Sequence, residues 1–309
     1  MEALAIECVD ASEPRLSEAV AEAGRIITAS AGGTKLSAVL QALGPSLTST
    51  DHTLRARATR AVARIVGATD AGVLDADALG HLVDFLCARM HDYACASAVF
   101  SAASAVLPLL SVAPGRRAQI ATALLEECDI RSLPQADRAA ALGLGLGLAS
   151  PPWLGGGGEG GSGEGGGEGG GEGGGEGGGE GGGEGGGKGE EVGSIGGVPA
   201  VRFLLGCLRA FDGEKDPRNL LSFLQLLRTL CARCEAVAAA GWSEAVGEVF
   251  DSLSYYFPIS FTPPPGDSHG ITRAHLLTSL IRTLRASPRF APLALPFLAR
   301  KGCAETHAQ

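Results

Sequence analysis

The stretch Tyr255-Tyr256-Phe257-Pro258-Ile259-Ser260-Phe261-Thr262-Pro263-Pro264-Pro265-Gly266-Asp267-Ser268-His269-Gly270 decides the fold. Before it, Val249, Phe250, Leu253, Tyr256 and Phe257 recur at helical spacing. Four prolines follow, and proline lacks the N–H that a helix interior needs and fixes φ. Asp267 and Gly270 offer turn chemistry. From Ile271 onward Leu276, Leu277, Leu280, Ile281 and Leu284 restore the helical period, with Arg273, Arg282 and Arg285 at polar positions. The pattern is helix, rigid proline corner, helix. Pro263-Pro264-Pro265 could also serve as a polyproline II ligand for an aromatic groove, but a corner between helical repeats accounts for it.

The same alternation runs through the chain. Helices are expected at Arg15–Ser30 and Thr34–Leu43, with Gly32 and Gly33 as a left-handed cap and Gly44-Pro45 as a stop. Thr48-Ser49-Thr50-Asp51 supplies N-cap candidates for Leu54–Gly67, whose stripe is Leu54, Ala58, Val62 and Ile65. Arg55, Arg57, Arg60 and Arg64 lie opposite, read as a solvated face with a phosphate or acidic-partner surface as the alternative. Asp77–His91 and Arg116–Glu127 flank the charge-free stretch Ala94–Gly115. That stretch is long enough to span a bilayer, but its Ala and Ser content and Pro108 predict a buried helix packed through small residues. Ser132-Leu133-Pro134-Gln135 has the form of a capping box opening a helix to Ala149. Gly143, Gly145 and Gly147 weaken that helix by up to about 1 kcal/mol each relative to alanine.

After residue 198 the helices resume at Val198–Phe211, at Asp216-Pro217 through Cys234, at Ser243–Phe257 and at Pro288–Ala299. Aspartate as N-cap with proline in the first turn is a strong start signal. Helix pairs on short turns, with no convincing strand alternation, give an all-α fold. Its class is a HEAT/armadillo-like α-solenoid of antiparallel helix pairs. The organisation is N-terminal repeats over 1–150, a Gly/Glu-rich insert over 151–197, continuing repeats over 198–301 and a tail over 302–309.

The insert distorts the composition. Residues 155–191 hold nine Glu, one Lys and 26 of the 47 glycines, so most of the net charge of −9 resides there. Such a run buries no apolar surface and is expected to be a disordered, self-repelling linker. The remainder is near neutral, which argues against electrostatic capture of nucleic acid. The eight cysteines (8, 87, 95, 128, 207, 231, 234 and 303) mostly sit in apolar helical patterns, where a thiol packs as a small hydrophobe. Met1-Glu2-Ala3-Leu4 lacks a basic leader, so a reducing cytoplasm or nucleus is expected, without a membrane.

No constellation carries chemistry. Cys231-Ala232-Arg233-Cys234 is a lone C-x-x-C on a helix, without the second pair that zinc needs. His269 and His275, like His81 and His91, lack partners at ligand spacing. Asp212, Glu214 and Asp216, with Lys215 and Arg218 among them, read as a charged turn rather than a carboxylate pair. Catalytic, cofactor and metal residues are therefore expected to be none, and protein-binding residues are not identified.

Three ungapped words carry a resemblance: Phe211-Asp212-Gly213-Glu214-Lys215-Asp216-Pro217-Arg218-Asn219-Leu220-Leu221, the proline corner, and Pro288-Arg289-Phe290-Ala291-Pro292. In this order they closely resemble the N-terminal region of the MMS nineteen nucleotide excision repair protein family. Leu43-Gly44-Pro45-Ser46-Leu47-Thr48 and Ser132-Leu133-Pro134-Gln135-Ala136-Asp137-Arg138 extend the similarity more weakly. The Gly/Glu run stands where the family has a shorter connection. The resemblance implies a long α-helical adaptor of the cytosolic iron–sulfur assembly targeting complex, without enzymatic activity. Its partners would be subunits of that complex and iron–sulfur apoproteins of DNA repair, replication and transcription. The family continues through many more repeats, which leaves a fragment, a truncated gene model and a divergent short form all open. A generic HEAT-type scaffold of the transport or ubiquitin-ligase kind is the alternative reading.

Overall fold

The computed structural model describes residues 2–10, 13–30, 34–70, 73–74, 76–112, 114–150, 194–195, 198–263, 266 and 269–306. Its helices are α1 (Glu2–Asp10), α2 (Glu13–Thr28), α3 (Thr34–Leu47), α4 (His52–Gly67), α5 (Ala76–Ala88), α6 (Ala96–Val106), α7 (Pro114–Glu126) and α8 (Gln135–Ala149). After the insert come α9 (Ala200–Phe211), α10 (Pro217–Ala236), α11 (Trp242–Tyr255), α12 (Arg273–Leu284) and α13 (Ala291–Thr306). Even-numbered helices form one row, in which α4, α6, α8, α10 and α12 each pack on the next. Odd-numbered helices from α3 to α13 form the second row, packed on the first. This is the two-layer stack expected of an α-solenoid, with one apolar core running between the rows.

Helix starts follow the chemistry of their caps. The Asp51 carboxylate accepts from the N–H groups of Thr53 (2.8 Å) and Leu54 (3.4 Å), so of the four candidates it is the one that caps α4. Asp216 caps α10 in the same way, with Pro217 in the first turn. Thr272 and His275 form a reciprocal capping box on α12.

The stack continues across the insert through packing of helix on helix. α8 packs on α10 and α7 on α9. A Cβ at Gly145 would stand 3.1 Å from Leu226 of α10, and one at Gly147 would stand 2.9 Å from Leu107. The glycines that weaken α8 as an isolated helix let its neighbours approach, so the helix runs unbroken to Ala149.

Several expectations need correction. Gly44-Pro45 does not end α3, which reaches Leu47. Pro45 sits in the last turn, where it removes a single intrahelical bond, and the burial of Leu43 and Leu47 anchors the helix on both sides of it. Ser132 forms no capping box. It closes a short 3₁₀ turn, Ile130–Ser132, its hydroxyl donates to the Asp129 carbonyl (2.8 Å), and α8 starts beyond Pro134 without a side-chain cap. The buried Ile130 holds that turn in place. Ala94–Gly115 is not one helix: α6 ends at Val106, Pro108 lies in the 3₁₀ segment Leu107–Val112, and Pro114 opens α7. Tyr93–Leu110 is the one described segment apolar and long enough to cross a membrane, yet 61% of it is buried between neighbouring helices. α1, unforeseen in the sequence, buries Ala5, Cys8 and Val9 against α2, α3 and α4. Ser194–Ile195 and Val198–Pro199 pair as a two-residue antiparallel ladder leading into α9. The expected disordered run 155–191, the Gly32-Gly33 cap, Asp267 and two of the three prolines of 263–265 lie outside the described residues.

Candidate functional site

The loop Asp212–Asp216 joins α9 to α10. Gly213, at φ +77°, permits the reversal. The reversal turns Glu214 inward, its side chain only 1% exposed. One Glu214 oxygen accepts from Arg138 Nη2 (2.9 Å) and from the N–H groups of Lys215 and Asp216 (2.9 Å each). The other accepts from Arg138 Nε (2.7 Å) and Asn219 Nδ2 (3.3 Å). Arg138 also donates to the Leu133 carbonyl (2.7 Å), and Asn219 to the Gln135 carbonyl (3.0 Å). One carboxylate thus ties the start of α8, before the insert, to the loop and helix after it. Burial opposes ionisation of Glu214, but the Arg138 hydrogen bonds, the Asp216 N–H, the Arg138 charge and Asn219 outweigh it and hold the carboxyl below its usual range. A carboxylate with both oxygens engaged in this way is a clamp and has no lone pair free to accept a substrate proton.

Asp212 and Asp216 are equally committed. Asp212 accepts from Ser252 of α11 (2.8 Å), while Asp216 caps α10 and pairs with Arg218 (2.9 Å). The charged turn foreseen in the sequence is therefore the corner that sets α9, α10 and α11 against one another. Tyr256 packs behind it. Burial and the nearby Asp212 carboxylate push its phenol up to about 12.

Beside this corner a furrow runs along the outer side of α9. Its largest part, about 750 Å³, is lined by Leu125, Val201, Leu205 and Ala210, with Arg131, Arg202 and Arg209 among them. It continues past Asp212 and Gly213 to Tyr255, which is 79% exposed. Beyond Gly213 lies a smaller hollow of about 340 Å³, formed by Pro217, Leu220, Tyr256, Pro258, Ile259 and Phe261 at the proline corner. The Phe257–Pro258 peptide bond is cis. Phe257 and Phe250 both pack edge-on against Phe297, which fixes the corner to α13.

The other residues that stood out in the sequence fall into structural roles. Cys231 and Cys234 are fully buried within α10, and burial raises both thiols, Cys234 to about 11. Among the described residues no group of three or more His, Cys, Asp or Glu is placed to hold a metal. His275 is a capping residue, and His269 lies 3.1 Å from Arg218. His81 and His91 are exposed. The arginines of α4 divide. Arg55 forms a bidentate pair with Asp92 (2.9 and 3.0 Å), and Arg57 reaches back to the Val9 carbonyl (2.6 Å) and Asp10 (3.1 Å). Those two staple neighbouring elements, whereas Arg60 and Arg64 face outward. The furrow was missed in the sequence. Its one available signal was the spacing of Arg202 and Arg209 beside Val201 and Leu205 on a helix without carboxylates.

Comparison with known proteins bears directly on this assembly. Residues 40–148 and 189–308 match the family described as Dos2-interacting transcription regulator of RNA-Pol-II, the MMS19 N-terminal family. The human "MMS19 nucleotide excision repair protein homolog" is 29% identical over 264 residues, covering 85% of this chain and 21% of the relative. Its counterpart in Xenopus tropicalis is 42% identical over 112 residues, 36% of this chain and 10% of the relative. The MMS19 protein of Saccharomyces cerevisiae, named there as a DNA repair/transcription protein, is 37% identical over 89 residues, 29% of this chain and 8% of the relative. The chain thus spans about a fifth of the length of the human relative. The matched residues include the Arg138–Glu214 clamp, the α9 furrow and the proline corner, and skip most of the Gly/Glu run. A match over most of the helical stack, on both sides of the insert, places this chain in the MMS19 family as a counterpart of its N-terminal region.

Proposed function

We propose that the chain is a non-catalytic docking segment of an iron–sulfur targeting adaptor. It holds apoproteins of DNA repair, replication and transcription close to the machinery that donates their clusters. The observation that carries this reading is the continuous two-layer stack with an open furrow along α9, in a chain of the MMS19 family. The names of its relatives, which refer to nucleotide excision repair and to transcription, agree with clients of that kind. The mechanism is recruitment: two partners bound on one rigid surface meet at an effective concentration far above their bulk value. The carboxylates in the loop 212–216 act as braces that keep the surface rigid.

Affinity purification of the tagged full chain with mass spectrometry tests the proposal. Enrichment of assembly-complex subunits and iron–sulfur apoproteins is the expected result. Enrichment of transport receptors or cullins in their place would make it a generic helical scaffold. Turnover of a substrate by the purified chain would also end the adaptor reading.

A further inference from the structure

The near-neutral charge of the helical part averages two unlike layers. The even-numbered helices α4 to α12 hold eleven arginines and only two carboxylates, Asp137 and Glu235. The odd-numbered helices α3 to α13 hold seven Asp or Glu and seven Arg or Lys. Six of the eleven arginines serve the fold: Arg55, Arg57, Arg138, Arg218, Arg233 and Arg273 bind carboxylates or carbonyls within it. The other five are Arg60, Arg64, Arg228, Arg282 and Arg285, and all but the half-buried Arg228 are exposed. Among the described residues Arg60, Arg228, Arg282 and Arg285 have no ion pair. Neither carboxylate of the row offsets them. Glu235 is taken up by Trp242, Ser287 and Arg289, and Asp137 is half-buried in the first turn of α8, at the opposite edge.

The five arginines share one side of the stack. Helix starts meet helix starts, Cys95 at the His52 carbonyl and Asn219 at the Gln135 carbonyl, and Gly147 lies beside Leu107 at the ends. The helices of the row therefore run parallel. Each packs on the odd-numbered row behind it and on its neighbours in the row, so its exposed residues face outward. Arg60 and Arg64 occupy the last two turns of α4. The Thr283 hydroxyl donates to the Leu224 carbonyl (3.0 Å). Arg228, one turn beyond Leu224, and Arg282, next to Thr283, thus flank a single seam, and Arg285 closes α12. Between the two clusters, α6 and α8 expose only small uncharged residues, Ser101, Ala136, Ala139 and Gly143.

Cationic charge without apolar anchors selects the occupant. Among the described residues, Ile281 is the one exposed large apolar side chain in this row, and it lies on the last helix. A protein interface is centred on desolvated apolar or aromatic anchors, and a single strand needs aromatic faces on which to stack. This face offers neither. The clusters on α4 and on α10–α12 stand three to four helix widths apart, about 25–40 Å. One turn of duplex, about 34 Å, brings its backbone round to the same side over that distance. We infer that the outer face of the even-numbered row binds the sugar–phosphate backbone of duplex nucleic acid without reading its sequence. One stretch of backbone meets Arg60 and Arg64, the next meets Arg228, Arg282 and Arg285, and a groove passes over the uncharged middle. The phosphate surface weighed for the α4 arginines thus extends along the row. This inference stands apart from the adaptor reading, and the failure of either leaves the other intact.

The test is fluorescence anisotropy of a labelled DNA duplex of arbitrary sequence, about two turns long, titrated with the full chain at low salt. Binding is expected, with a log–log salt slope of about −4 to −5 for five phosphate contacts. The double variants Arg60→Glu/Arg64→Glu and Arg282→Glu/Arg285→Glu should each weaken binding about tenfold or more and reduce that slope by about 2. Arg131→Glu, exposed beside α9 on the odd-numbered side, should bind as the wild type does. Circular dichroism should show all variants folded.

No binding at low salt, an unchanged slope in both double variants, or an equal loss in Arg131→Glu would overturn the inference. Equal affinity for one strand of the same duplex would remove the duplex geometry on which it rests. Tighter binding of polyglutamate than of duplex would make the face a site for acidic protein segments instead. Duplex binding that emerges only when the nine glutamates of 155–191 are changed to glutamine would make the chain's own acidic run the occupant.

Discussion

Replacing the buried Glu214 with alanine should cost the protein a large share of its stability. The change removes the acceptor for both Arg138 hydrogen bonds, for two backbone N–H groups and for Asn219. Breaking a fully buried ion pair costs about 3–5 kcal/mol. Arg138 keeps 23% of its side chain exposed and its bond to Leu133, so part of its charge rehydrates and the lower end, about 3 kcal/mol, applies. Arg138→Ala should cost about 2 kcal/mol, because three N–H donors still hold the carboxylate. The double variant should be less destabilised than the sum of the two by about 1–2 kcal/mol.

Urea denaturation followed by circular dichroism measures all three. The sign of the pH dependence is fixed as well. The folded carboxyl lies below its ordinary value of 4.5, so the clamp's contribution is fully present above that pH and is lost as pH falls through the lower folded value. Wild type and Glu214→Ala should therefore converge in stability on acidification. Strict additivity of the two single variants, or a loss below about 1 kcal/mol for Glu214→Ala, would refute the view of this pair as the brace across the insert.

Three further outcomes follow from the packing. Gly143 has open space around its would-be Cβ, so Gly143→Ala should stabilise by up to about 1 kcal/mol, whereas Gly145→Leu, pressed on Leu226, should destabilise by about 1–3 kcal/mol in the same urea titration. Cys207, Cys231 and Cys234 should resist alkylation at neutral pH until the protein unfolds, as mapped by mass spectrometry, since burial raises all three thiols. Deleting residues 155–191 should leave the helical spectrum intact and raise stability by at most about 2 kcal/mol, the loop-closure difference between connections of the two lengths.

Much of the stack was legible because its signals are local. Asp216-Pro217 announces α10 wherever it packs, and the stripe Leu220, Leu224 and Leu227 points it at the core. Signals that depend on a partner were not legible. Gly145 and Gly147 look like helix breakers until Leu226 and Leu107 are seen pressed against them. Ser132 has the spacing of a cap, but the burial of Ile130 shifts the start of α8 past Pro134. At the site, the loop 212–216 could be read as a corner, but not that Glu214 reaches Arg138, 76 positions earlier. The furrow was invisible for the same reason, since its walls come from α7, α9, α11 and the connection between α7 and α8, which meet only in the assembled stack.

The seam between α8 and α10 has a practical corollary. Because packed helix faces and one buried brace close it, the two sides should stay together when the link between them is cut. With a specific protease site engineered into 155–191 and cleaved, the two pieces should still elute together on gel filtration as one particle. They should part only when Glu214 or Arg138 is also replaced.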